Sequence, residues 1–163
     1  MIEISVDSSQ LEHGLGQLLS NATSTRPMMA GMATELHSLT EDNFQSESWG
    51  GDPWKKSLRA GSEGGKTLQD SGQLAASINT AISNDFARIG SNKPYAAIHH
   101  FGGDIKAKNK PYLLIPFGNG YAKVKQVSIP ARPYLPINPD GELQKGAENR
   151  LLNVALDALA KGL

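Results

Sequence analysis

The chain has 163 residues, no cysteine, and 16 basic against 16 acidic side chains, for a formal net charge of zero. Such a length gives one domain that buries roughly two-thirds of its unfolded surface, the missing cysteines exclude disulfides and thiolate zinc sites, and the balanced charge argues against a nucleic-acid binder. No stretch reaches the ~18 apolar residues of a membrane span, and the opening MIEISVDSSQ lacks a signal peptide's basic and apolar segments, so a soluble cytoplasmic protein is expected.

Ile2, Ile4 and Val6 alternate with Glu3 and Ser5, the pattern of a half-buried strand. Asp7, Ser8 and Ser9 offer N-caps for a helix carrying Leu11, Leu15, Leu18 and Leu19, weakened by Gly14 and Gly16. Pro27 suits a first helical turn, and Met28, Met29, Met32, Leu36, Leu39 and Phe44 follow at helical spacing, predicting a helix over 27–44. Its methionine stripe reads as adaptable core or as an oligomer contact.

Residues 45–66 change character, with both tryptophans (Trp49 and Trp54) among glycines and turn formers. A long exposed, flexible loop is expected there. Its tryptophans are either anchors for a partner or, for Trp54, folded back onto the domain. Asp70 or Ser71 caps an expected short helix bearing Leu74 and Ile78. Residues 79–82 and 86–89 flank Ser83-Asn84-Asp85 as a hairpin.

The densest cluster follows at 94–103: Tyr95, His99, His100 and Phe101, closed by Gly102-Gly103. Residues 103–111 carry Lys106, Lys108 and Lys110 beside Asp104 and read as a flexible solvated loop. Residues 112–117 and 121–127 surround Gly118-Asn119-Gly120, a strong hairpin signal. Prolines at 130, 133, 136 and 139 make 129–139 an extended connector. Leu143, Ala147, Leu151, Leu152, Val154, Ala155, Leu156 and Leu159 predict a last helix over 140–161. The fold class expected from these elements is α+β. A small, mainly antiparallel sheet carries the 27–44 and 140–161 helices on one face.

Catalytic constellations are scarce. His99 and His100 are adjacent and so point in different directions, and no HExxH spacing supplies a metal site. No G-x-S-x-G elbow occurs. Gly65-Lys66-Thr67 resembles the end of a phosphate loop, but Ala60 stands where its first glycine belongs and no strand precedes it. No cofactor and no metal are expected, and the alternative reading is a small metal-dependent hydrolase using His99 or His100. A nucleic-acid module using Lys106, Lys108 and Lys110 would bind in a salt-dependent manner.

An ordered set of motifs is more telling. It comprises Asn43-Phe44 at a helix end, Pro53-Trp54, the run from Leu68 to Ile78, Ile89-Gly90, the run from Tyr95 to Gly103, and Ile129-Pro130-Ala131-Arg132-Pro133-Tyr134-Leu135. Together they resemble the virion morphogenesis, or tail-completion, proteins of Mu-like tailed phages and prophages. The family often has Gln where His100 stands, which speaks against a required histidine pair. The resemblance implies a non-enzymatic structural protein of the virion, assembled in the host bacterial cytoplasm, that completes or terminates the tail or joins tail to head. It implies a ring of identical subunits, a hexamer among the candidate sizes, meeting tail-tube and head-connector proteins, with neither membrane nor sequence-specific nucleic acid as partner. Trp49, Trp54, Tyr95, His99, His100, Phe101, Arg132 and Tyr134 are the candidate partner or oligomer contacts. Arg132, between prolines, is poised for a bidentate carboxylate contact or else bonds backbone carbonyls and locks a corner of the sheet.

Overall fold

The computed structural model describes residues 7–117 and 120–163, so the expected strand at Ile2, Ile4 and Val6 and the Gly118-Asn119 turn lie outside the described residues. Helix α1 spans Ser9–Thr23, and α2 spans Arg26–Ser46 with a proline in its first turn and Glu47 at φ +51 ending it. The fold is α+β, as expected, and every paired strand is antiparallel. Those strands form four two-stranded ribbons among the described residues.

Helix α2 is the central element. One side of it packs on the hairpin of β3 (Ile78–Ile82) and β4 (Ala87–Ser91), and another on α5 (Ala147–Leu159). Gly31 allows the second contact, since a Cβ there would lie 2.7 Å from Val154 Cγ1. Arg150 of α5 then bonds Glu35, Ser38 Oγ (3.2 Å) and Asp42 (2.9 Å) along α2. At the far end Asn21 of α1 donates to the carbonyls of Leu159 (2.8 Å) and Lys161 (2.9 Å), capping α5 with a side chain. The long helices therefore stack beside each other, and α2 makes the main helical contact with the hairpin among the described residues.

Four expectations are corrected. The last helix begins at Ala147 rather than 140, because Asn138 Oδ1 accepts from the amides of Asp140 (3.0 Å) and Glu142 (2.9 Å). That side-chain turn competes with helix and leaves Leu143 bridged to Ile137. The short helix after Asp70 shrinks to one 3₁₀ turn, Ala75–Ser77, because Ile78 pairs with Ser91 as the first residue of β3.

Residues 45–66 are not one long loop. They hold β1 (Ser48–Trp49) and β2 (Asp52–Pro53), joined through Gly50 and Gly51 at positive φ, and α3 (Leu58–Ser62). The amide of Thr67 donates to the Glu47 carboxylate at 2.7 Å, tying both ends of the segment together. Residues 103–111 likewise begin as β5 (Gly103–Lys106), paired with β8 (Gln126–Ile129). Beyond that pair, β6 (Leu113–Phe117) pairs with β7 (Gly120–Val124). Residues 103–129 thus form one long excursion, rooted where it leaves α4 (Ala96–Phe101) and returns at Ile129. No described residue along it is buried.

The core is small: Phe44, Trp54, Leu74, Ala96 and Tyr134, with Leu68, Ala75, Ile78 and Leu135 packed around it. Phe44 stacks on Tyr134 at 5.3 Å between centroids and meets Trp54 edge-on at 5.9 Å. Such aromatic pairs contribute about 1 kcal/mol each beyond area burial.

Candidate functional site

The two unusual runs of the sequence, 94–103 and 129–136, do meet. Helix α4 stops at Gly102 (φ +71), where an added Cβ would sit 2.6 Å from the Ala131 amide nitrogen. Only glycine combines that backbone angle with so close an approach. The returning chain then runs along α4. The Arg132 amide donates to the His99 carbonyl (2.9 Å), the Tyr134 amide donates to His100 Nδ1 (3.2 Å), and the Tyr134 hydroxyl donates to the Ala96 carbonyl (3.0 Å).

This junction is interior. His100 and Tyr134 are each only 2% exposed. Burial holds His100 below the ordinary histidine value and pushes Tyr134 up to about 12, so the imidazole is neutral and the phenol keeps its proton. The two rings meet edge-on at 5.0 Å. His100 is therefore a core residue that supplies one acceptor to a backbone amide.

Buried Asn43 extends the brace, donating to the Tyr134 carbonyl (3.2 Å) and to Gln144 Oε1 (2.6 Å) while accepting from the Gly50 amide (3.3 Å). Both tryptophans donate inward as well, Trp49 to the Leu135 carbonyl (3.0 Å) and Trp54 to that of Pro133 (2.9 Å). Four side chains thus converge on the 133–135 backbone.

An outward-facing contact set was expected from eight residues, and the fold distributes them differently. Trp54, His100, Arg132 and Tyr134 are buried in the chain's own interior; Trp49 and His99 are partly covered. Only Tyr95 (37% exposed) and Phe101 (54%) present large apolar surface. The physical reason is that each tryptophan N–H and the Arg132 Nε–H find backbone carbonyls within reach, as buried polar groups require.

Beside this brace lies a cavity of about 380 Å³ whose lining includes Arg59, Leu68, Asp70, Tyr95, His99 and Arg132. Arg132 donates through Nε to the Lys55 carbonyl (2.7 Å), the backbone-bonded arrangement weighed from the sequence. Among the described residues its terminal nitrogens have no hydrogen bond and no carboxylate pairs with it. Burial lowers its pKa, yet guanidinium stays charged at any working pH. Arg59, by contrast, meets Asp70 at 3.4 Å and the Lys66 carbonyl at 2.8 Å.

His99 is held below the usual histidine range by burial and by the neighbouring Arg132 charge, and its Nδ1 is buried with no partner among the described residues. Leu68, in the cavity wall, adopts φ +63, an uncommon angle for a bulky side chain. No group of three histidine, aspartate or glutamate side chains that could hold a metal converges among the described residues.

Arg59 went unmarked in the sequence because residues 45–66 read as a loop, and Leu68 stood out only as the start of the motif that runs to Ile78, with no role attached. The Asn43 staple was visible only as part of the Asn43-Phe44 motif, without its partners.

Comparison with known proteins adds a second line. The model of the phage virion morphogenesis family matches residues 6–159. A Haemophilus influenzae protein described as "Mu-like prophage FluMu G protein 2" is 38% identical over 145 residues, covering 87% of this chain and 88% of the relative. "Putative capsid assembly protein G" of Escherichia phage Mu is 31% identical over 151 residues, covering 86% of each. No solved structure gave a significant match.

Proposed function

The chain belongs to the phage virion morphogenesis family, and on that premise we propose that it completes or terminates the tail of a tailed phage or prophage, or joins tail to head, as a ring of identical subunits. A structural part in phage assembly is what the family and the Mu relative's description, capsid assembly, have in common. Exposed surface supports the self-association in that reading. The chain exposes 11305 Å², whereas a compact monomer of 17.4 kDa exposes about 7,900 Å². Fully extending the six undescribed N-terminal residues accounts for under about 1,000 Å² of that excess.

A closing ring needs two different faces on each subunit, and two candidates lie apart from the brace. One is the 103–129 arm, an exposed antiparallel ribbon bearing Leu114 (58% exposed) and Tyr121 (74%). A lone two-stranded ribbon is marginal in water and is stabilised when another surface covers it. The other face is leucine-rich. Leu11, Leu15 and Leu19 of α1 and Leu152 and Leu156 of α5 repeat at four-residue spacing, all more than half exposed. Tyr95 and Phe101, at the root of the arm, extend the first face.

The hydrolase alternative finds no support in this geometry: His100 is bonded to backbone inside the core, and no described carboxylate pairs with His99. The test is electron microscopy of particles made without this protein. Overlong tails indicate a terminator and headless tails a joint. Normal, infectious particles would refute both.

A further inference from the structure

We propose that the cavity beside α4 is a carboxylate-binding site, and that it takes an aspartate or glutamate side chain from a partner polypeptide. Arg132 is 6% exposed, lines the cavity, and bonds only the Lys55 carbonyl through Nε, so its terminal nitrogens lack partners among the described residues. Those nitrogens keep some solvent access, and a carboxylate that replaces water on the fork gains paired charge-assisted bonds in a largely covered setting. The Arg59 charge is already met by Asp70, and burial beside Arg132 keeps His99 neutral near pH 7. The lining therefore carries one uncompensated positive charge, which matches a monoanion.

Neutral hydrogen-bonding groups surround that charge: Ser57, Ser71 and Gln73 also line the space. Apolar walls from Leu68, Leu74 and the Tyr95 ring complete it. A volume of about 380 Å³ exceeds what a bare inorganic ion fills and accommodates a carboxylate on a methylene stem. That combination favours an acidic side chain of a polypeptide over a free phosphate, whose second charge finds no second cation. The site stands on this chain's own geometry and does not depend on a ring.

The test is a titration of the isotope-labelled protein, followed by NMR at the Arg132 Nε–H and the Tyr95 and His99 amides. The probe is a blocked peptide, acetyl-Leu-Glu-Leu-amide, with its Gln counterpart and free butyrate and phosphate as controls. The expected result is saturable shifts with the Glu peptide, at least about tenfold weaker for the Gln peptide, since a charged hydrogen-bond pair is lost. Gln73→Trp, at an exposed position of the lining, should abolish the shifts while leaving the fold intact. Absence of saturable shifts, or equal response to the Gln peptide, overturns the site. Binding of butyrate or phosphate as tight as that of the Glu peptide overturns the polypeptide occupant.

Discussion

The brace around Tyr134 and the 103–129 arm occupy neighbouring stretches of chain and differ in nearly every physical respect. In the brace, polar groups turn inward: an asparagine, a histidine and two tryptophans spend their hydrogen bonds on one segment of backbone. In the arm no described residue is buried, and its ribbons are held by ladder bonds with exposed side-chain contacts such as Ser128 Oγ donating to Asp104. One region is finished within the monomer, and the other presents surface that the monomer leaves uncovered. The lesson is that the most distinctive residues of this sequence specify the fold, while the surface proposed above to meet partners consists of ordinary leucines, a tyrosine and an exposed ribbon.

The sharpest break of that contrast is a pair of substitutions. Tyr134→Ala removes the stacked ring at the centre of the core and should cost about 3–5 kcal/mol in denaturant unfolding, whereas Tyr121→Ala in the arm should change stability by less than about 0.5 kcal/mol. Comparable losses at the two sites would erase the distinction. Gly102→Ala, which drives a methyl into the Ala131 backbone at positive φ, should destabilise by about 2 kcal/mol or more. Gly16→Ala on α1 has open space around it and should stabilise by up to about 1 kcal/mol.

Protonation gives a subtler probe. The folded-state pKa values of His99 and His100 are lowered from 6.5 by burial. Their contribution to stability is therefore complete above pH 6.5 and is lost as pH falls through that value toward the folded pKa. For His100 the slope is at most about 1.4 kcal/mol per pH unit. Thermal melts from pH 7.5 to 5.5 should show the decline, and His100→Gln should flatten it. Glu47 is also held low, by its bond to the Thr67 amide, and Asp104 by its bond to Ser128. These acids respond only in a lower pH window.

Much of the fold was legible in the sequence because α1, α2 and the β3–β4 hairpin follow local rules of spacing, proline placement and turn chemistry. The last helix was read seven residues early because Leu143 fits the helical period, while the Asn138 side-chain turn that overrides it is a local bond that periodicity does not express. Residues 45–66 read as a loop because their order depends on distant partners, Glu47 with Thr67 and Trp54 with Pro133. The site followed the same logic. Inward readings were open for Trp54 and Arg132, but the sequence could not choose them over partner contacts, since a tryptophan in a glycine-rich stretch looks the same whether its N–H meets a partner protein or its own backbone.

Assembly tests the account most directly. Native mass spectrometry of the purified chain, alone and with tail-tube protein, should give a closed oligomer of single stoichiometry. Replacing Leu11, Leu15 and Leu19 by serine should return it to monomer, with stability within about 0.5 kcal/mol per site. A wild-type protein that stays monomeric in both settings, or a triple variant that assembles as well as wild type, would contradict it.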